Sequence, residues 1–286
     1  MEPRAEEIPS SFKNYIGIPG FERLLPGTED ELRKMLRGTT FLVEGPPGAG
    51  KSIFSMQCLC FGVKLYNEPS IYLSFEENLD NLLERDFNFD LWDIKAHVMR
   101  WEDTGLDKVQ KREVPERLKE LKDKLSREAK IIIITGRDLK GPLFEGRPIA
   151  EGLGELIKDL GIQRIVIDPI TVYLLHERER LVDLKKARSR DEATRIAMVE
   201  LKHLEEASTK PFIVLPCEAV EEGRPLLGYE EFVSRGVIYL GFREVGGKRK
   251  RYARLLKMRG SRHSTKRYAV FISKQEGLRI GYELLE

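Results

Sequence analysis

The sequence predicts an α/β fold with a mostly parallel central sheet, flanking helices and antiparallel strands along its C-terminal edge. Three observations carry this. Residues 39–52 read TTFLVEGPPGAGKS, an apolar run that turns through glycines into a mostly apolar helix over 51–66. Two further apolar runs, Ile71–Phe75 and Arg164–Asp168, end in or beside acids and alternate with helical stretches, the order expected of a parallel sheet. From Arg235 onward the pattern changes to short runs at Val237–Phe242, Tyr252–Met258, Tyr268–Ile272 and Leu278–Tyr282, with Gly246-Gly247 as a hairpin turn.

Taken in order, residues 1–16 are polar and expected to be a loosely held, flexible segment. Residues 29–37 have helical spacing ended by Gly38. After Ile71–Phe75, a helix over 79–86 is expected with Asn78 as its N-cap. Residues 87–160 form the variable part: a strand near His97–Trp101, a charged helix over 114–129, a buried strand at Ile131–Ile134 and a helix over 149–160. Gly141 to Pro148 has the glycine spacing of a phosphate loop, but Arg147 and Pro148 stand where Lys and Ser/Thr are required, so it reads as a plain loop. The stretch 176–192 is dense in both charges and is expected to be an exposed loop. Residues 193–207 return to helical spacing, and Phe212–Leu215 is a core strand. With no repeat and no clear linker, one domain over 1–286 is expected.

The chain has 286 residues, enough for a sizeable core, and 49 basic against 47 acidic residues, a net charge of +2 that does not single out nucleic acid. Charged residues make up 34%, with five Asn and four Gln, a balance expected of a heat-adapted source. Cys58, Cys60 and Cys217 form neither a disulfide framework nor a zinc pattern. No run approaches a membrane span and no secretory leader is visible, so a cytosolic location is expected.

The chemistry starts with Gly45, Pro46, Pro47, Gly48, Ala49, Gly50, Lys51 and Ser52, which fit the pattern G-x-x-x-x-G-K-[ST]. Glycines let the backbone close around phosphate oxygens, and the helix N-terminus aims N–H groups at the anion. Lys51 would reach the β- and γ-phosphates of ATP and the Ser52 hydroxyl would ligate Mg²⁺. Asp168, at the end of an apolar strand, fits the acid that holds the same Mg²⁺ through water. Glu76 and Glu77 have two readings: one positions the water that attacks the γ-phosphate, the other places acids at a helix start. Lys257 and Arg259 share a strand face and could neutralise charge on the transferred phosphoryl group, or lie on a solvated basic face. The basic stretch 243–267 permits nucleic-acid contact, although only Tyr252 and Tyr268 offer stacking there, and His263 reads as a surface residue.

Several of these stretches together resemble the KaiC-like branch of the RecA superfamily of ATPases. They are Gly17 to Leu25, the loop ending Gly50-Lys51-Ser52, Tyr72 to Glu77, Ile165 to Asp168, Leu215 to Glu218, Gly236 to Leu240, and Leu256 to His263. The resemblance spans about 15–86 and 160–275, and residues 87–160 match only loosely. It implies a RecA-like phosphate-loop NTPase core that hydrolyses ATP with Mg²⁺. In that family the paired glutamates serve hydrolysis, which assigns Glu76 and Glu77 as catalytic. The K-x-R-G segment reaches a neighbour's nucleotide, which assigns Lys257 and Arg259 to act in trans within a ring, typically a hexamer. The chain departs from the tandem clock protein in having one usable phosphate loop, in Pro46-Pro47, and in Cys217 where a small hydroxyl residue is usual. Two other functions stay open: a DNA-binding recombination or repair protein using ATP, and a switch whose ATP state, with autophosphorylation, controls an unknown protein partner.

Overall fold

The computed structural model describes residues 9–75, 81–225 and 234–285. Eleven strands form the sheet: β1 (Thr39–Gly45), β2 (Ser70–Ser74), β3 (Val98–Arg100), β4 (Ile131–Thr135), β5 (Arg164–Asp168), β6 (Phe212–Glu221), β7 (Arg224–Pro225), β8 (Gly236–Val245), β9 (Lys248–Met258), β10 (Tyr268–Ser273) and β11 (Gly277–Glu283). Their order is β11-β10-β9-β8-β1-β6-β5-β2-β4-β3, with β7 paired to β6. β1 lies parallel to β6 and β8, β5 parallel to β2 and β6, and β4 parallel to β2 and β3. β9, β10 and β11 are antiparallel to their neighbours. The mixed sheet with its antiparallel C-terminal edge matches the fold expected from the sequence.

Six longer helices cover the sheet: α1 (Glu29–Leu36), α2 (Lys51–Tyr66), α3 (Val114–Arg127), α4 (Ile149–Leu160), α5 (Ile170–Asp183) and α6 (Arg190–His203). Successive strand residues alternate between the two layers. Phe41, Val43 and Val166 join the core under α2, and Leu42, Ile165 and Ile167 join the core under α3 to α6. This is why the central strands read as unbroken apolar runs. α2 lies against strands on one flank and C-terminal strand β11 on another, so almost its whole circumference is buried. Its three neighbouring thiol and apolar positions, Cys58, Leu59 and Cys60, are all fully buried.

Three local expectations need correction. Residues 12–16 are not loosely held: Phe12, Tyr15 and Ile16 are fully buried. Asn14 fastens this turn, its Oδ1 accepting from the Gly17 amide at 2.9 Å and its Nδ2 donating to the Ile18 carbonyl at 3.1 Å. The charged stretch 176–192 is mostly helix, because Ile170, Tyr173, Leu174, Glu177 and Leu181 are buried at helical spacing beneath the charges. Only 184–189 connect α5 to α6. Finally, Leu82–Asp86 form a π-helical turn where a helix over 79–86 was expected; Asn78 lies outside the described residues.

Candidate phosphate-binding site

The phosphate loop links β1 to α2. At Gly45 the backbone of β8 comes so close that a Cβ would stand 1.9 Å from the Leu240 carbonyl oxygen. Gly48 and Gly50 take positive φ of 75° and 107°, which favours glycine. A Cβ on Gly50 would meet Ile272 Cδ1 at 3.0 Å, so β10 packs directly on the loop. Gly50 is the N-cap of α2 and no side chain caps it. The first-turn amides of a 16-residue helix are therefore left to an outside acceptor. Lys51 lies across this opening, its Nζ donating to the Gly45 carbonyl at 2.9 Å and the Pro46 carbonyl at 3.0 Å.

Asp168 ends β5 and faces the same opening, 4% exposed. Tyr72, on the adjacent strand β2, donates its hydroxyl to Asp168 Oδ2 at 2.5 Å. Burial pushes the Asp168 carboxyl above the usual carboxylate range, while hydrogen bonds from Tyr72 and Ser52 and the charge of Lys51 pull it back. Ser52, Asp168 and Lys51 thus converge, as expected from the phosphate-loop pattern and the strand-end acid.

These groups floor a cleft of about 590 Å³. One wall carries Asp168, Pro169 and Glu218, and the other carries Arg251 and Ile272, with Leu82 and Phe87 nearby. Glu218 pairs with Gly45 across the β1–β6 ladder, which sets it beside the loop. The Arg251 guanidinium donates to the Gly48 carbonyl through Nε and Nη2, each at 3.3 Å. Tyr72, Glu218 and Arg251 were not singled out by motif. Their positions depend on strand pairing, and only the strand ends of 72–77 and 215–218 hinted at two of them.

Lys257 and Arg259 are not brought to this loop. Lys257 pairs with Val237, which pairs with Leu42. The Arg259 amide donates to the Arg235 carbonyl at 3.0 Å, level with the start of β1. Arg251 lies near the start of β9 and Arg259 just past its end, roughly 25 Å apart at about 3.3 Å per residue. Lys257 is half-buried and Arg259 exposed. Glu76 and Glu77 lie outside the described residues, although Phe75, just before them, bonds through its amide to the Asp168 carbonyl at 2.9 Å.

The site fits a Mg²⁺-bound nucleotide on its own chemistry. Uncapped helix amides and a lysine suit phosphate, and a hydroxyl beside a carboxylate suits a hard cation held by oxygen. A larger cavity of about 760 Å³ lies between residues 139–146 and α5; it has no phosphate loop, so the smaller cleft is the better nucleotide site.

The family model for the KaiC ATPase matches residues 15–284. The chain is 28% identical over 269 residues to a UPF0273 protein of Methanocaldococcus jannaschii, covering 91% of this chain and 92% of that one. It is 27% identical over 283 residues to the circadian clock oscillator protein KaiC of Parathermosynechococcus lividus, covering 98% of this chain and 45% of the clock protein. The chain therefore spans less than half the length of that relative. The crystal structure of a KaiC-like protein from the hyperthermophilic archaeon Pyrococcus horikoshii superposes with a TM-score of 0.64 at 26% identity, covering 93% of this chain and 96% of that one.

Proposed function

The chain belongs to the KaiC family of ATPases, and from that premise we propose that it hydrolyses ATP with Mg²⁺ as one RecA-like domain. The observation that carries this is the convergence of Lys51, Ser52 and Asp168 at the uncapped start of α2. Gly45 to Ser52 hold the phosphates, with Lys51 leaving its loop carbonyls for the β- and γ-oxygens. Arg251 is placed to add a second positive charge from the same chain. Ser52 and Asp168 would hold Mg²⁺, which would supply charge neutralisation at the phosphates. Glu76, with Glu77, orients a water and takes its proton as the new O–P bond forms and the bond to the ADP leaving group breaks. The clock relative named KaiC and the archaeal structure described as KaiC-like support this reading.

Lys257 and Arg259 complete a neighbour's site in a ring, typically a hexamer. Their distance from the chain's own loop supports this, because they have no reach to it in cis. A head-to-tail contact of this kind closes into a ring when its rotation permits. A cytosolic protein fits the finding that no helix among the described residues is long and apolar enough to cross a membrane. The test is ATP turnover per chain as protein concentration rises, with and without single-stranded DNA. A rise with concentration and indifference to DNA is expected. Turnover that is flat with concentration removes the trans role, and strong stimulation by DNA moves a DNA-linked function to first place.

A further inference from the structure

The last four strands, β8 to β11, form an antiparallel unit whose two faces differ. One face turns to the phosphate loop, with Arg251 on the Gly48 carbonyl and Ile272 and Leu278 against Gly50. Residues one step along each strand point the other way. There the rings of Tyr252, Phe271 and Tyr282 carry cations. Arg267 lies 5.6 Å from the first centroid, Arg279 4.8 Å from the second and Lys250 5.9 Å from the third. Phe271 and Tyr282 are ring neighbours, 5.8 Å apart, and Tyr282 is 52% exposed. Arg243 and Lys250 stand directly opposite in the β8–β9 ladder, and Lys248 shares their face. Like charges so placed destabilise a sheet. The carboxylates at hand do not relieve them. Glu222 accepts from Tyr252 Oη at 2.8 Å and pairs with Arg254 and, at 3.3 Å, with Arg267; Glu283 pairs with Lys266 at 2.7 Å. Among the described residues, Arg243, Lys248, Lys250 and Arg279 have no ion pair, and Arg243 Nη1 is buried with no hydrogen-bond partner.

We propose that this face of β8–β11 binds single-stranded RNA. Phosphates neutralise Arg243, Lys248, Lys250 and Arg279, and splayed bases stack on Tyr282 and Phe271. The repulsion between Arg243 and Lys250 then becomes a shared hold on one backbone. Rings with faces turned outward need unstacked bases, which a duplex does not offer. A pleated face is also too broad to enter a duplex groove. The hydroxyls favour RNA over DNA. Tyr282 Oη accepts from Lys250 at 3.4 Å, and Ser273 Oγ accepts from the Glu276 amide at 3.2 Å. Each hydroxyl is left with its own hydrogen for a ribose 2′-oxygen, a group that DNA lacks. The basic stretch 243–267 alone understates the surface, because Phe271, Arg279 and Tyr282 join it only through the pairing of β9, β10 and β11. The face is separate from the ATP site, although β9 serves both, with Arg251 toward the loop and Lys250 away from it.

The test is fluorescence anisotropy of the full chain with a labelled uridine RNA of about 12 nucleotides, beside DNA of the same length, a duplex RNA and heparin. The single-stranded RNA should lose roughly 50-fold in affinity between about 50 and 200 mM salt, the slope expected when those four cations release counterions from a single strand. DNA and duplex RNA should bind about 5-fold more weakly or worse. Lys250→Glu should weaken RNA binding and flatten the salt dependence. Tyr282→Ala should weaken it by about 5- to 50-fold and leave the salt dependence as it was, since a ring and not a charge is lost. Tyr282→Phe should restore most of that loss. Both positions reach the surface, so the variants should melt with the wild type. RNA and heparin affinities that fall together in Lys250→Glu and ignore Tyr282→Ala would leave only attraction between a basic surface and any polyanion, and would overturn the proposal. DNA binding as tight as RNA would overturn it too. So would a lower oligomer mass in Lys250→Glu with RNA affinity intact, which gives the face to a second copy of the chain.

Discussion

Tyr72 and Asp168 are joined across neighbouring strands by a 2.5 Å hydrogen bond inside the phosphate cleft. β2 and β5 are in parallel register, with Ser74 level with Asp168. The tyrosine therefore reaches from two residues back along its strand to the end of the next. Its hydroxyl donates to the carboxylate and favours the ionised form that a metal requires. The same ring stacks edge-on to Phe87, with centroids 5.8 Å apart, so it has no free rotation away from the acid.

Tyr72→Phe keeps this packing and removes the donor. The Asp168 carboxyl, already raised by burial, should rise further. More of it is then protonated at any given acidic pH, so the acid limb of the pH–rate profile moves to higher pH. The Mg²⁺ concentration giving half-maximal ATP turnover should increase by about 3- to 10-fold, as expected for loss of one hydrogen bond to a charged group. A turnover profile that superposes on the wild type would falsify the positioning role of Tyr72.

Lys51→Ala should weaken ATP binding by about 100-fold or more, while the fold survives, because Lys51 lies on the open loop with its Nζ on the Gly45 and Pro46 carbonyls and not in the packed core. Isothermal titration measures this. Glu76→Gln should instead bind ATP and turn it over slowly, as the proposed water-positioning role requires. EDTA should stop turnover in the wild type and added Mg²⁺ should restore it. Tight ATP binding by Lys51→Ala would remove the loop from the site.

The sequence made the phosphate loop and Asp168 legible because both are short, local patterns whose chemistry fixes their neighbours in the chain. The mostly parallel sheet was legible for a similar reason: buried strands must be apolar on both faces. Tyr72, Glu218 and Arg251 became visible only through strand pairing, which joins positions tens to hundreds of residues apart. Residues 12–16 were misjudged because Phe12, Tyr15 and Ile16 sit among polar neighbours that mask a three- and four-residue spacing. α5 was missed on the same ground, since one of its inward positions, Glu177, is itself charged and buried.

Arg259→Ala and Lys51→Ala together test the shared active site. Each variant alone should lose most ATP turnover. Arg259, just past the end of β9, lies far from the loop of its own chain, so in the proposed ring a mixture would place an intact loop beside an intact Arg259 at some boundaries. Mixing the two variants in equal amounts should recover part of the wild-type rate, up to about one quarter under random assembly of head-to-tail rings. No recovery after verified subunit exchange would place Arg259 outside the neighbour's site.

Gly62 and Gly154 give the last prediction, because the same substitution should have opposite effects in two helices. A Cβ on Gly62 would stand 2.4 Å from Arg164 Nε and 2.5 Å from its Cδ. Arg164 cannot easily move. It is fully buried, paired to Glu68 at 2.6 Å, bonded to the Cys58 carbonyl at 2.8 Å, and stacked 4.3 Å above the Tyr15 ring. Displacing it leaves Glu68 as a buried charge with only the partly exposed Arg33 beside it, a loss of about 3 kcal/mol or more. At Gly154, in α4, the nearest atom to a new Cβ is Leu204 Cδ2 at 3.8 Å, an ordinary contact. There the better helix propensity of alanine should stabilise by about 0.5–1 kcal/mol. Denaturant unfolding should therefore shift to lower midpoint for Gly62→Ala and slightly higher for Gly154→Ala. Equal, small effects would mean that Arg164 can leave its buried pair at little cost, and that the ion pair does not fix the packing of α2 on β5.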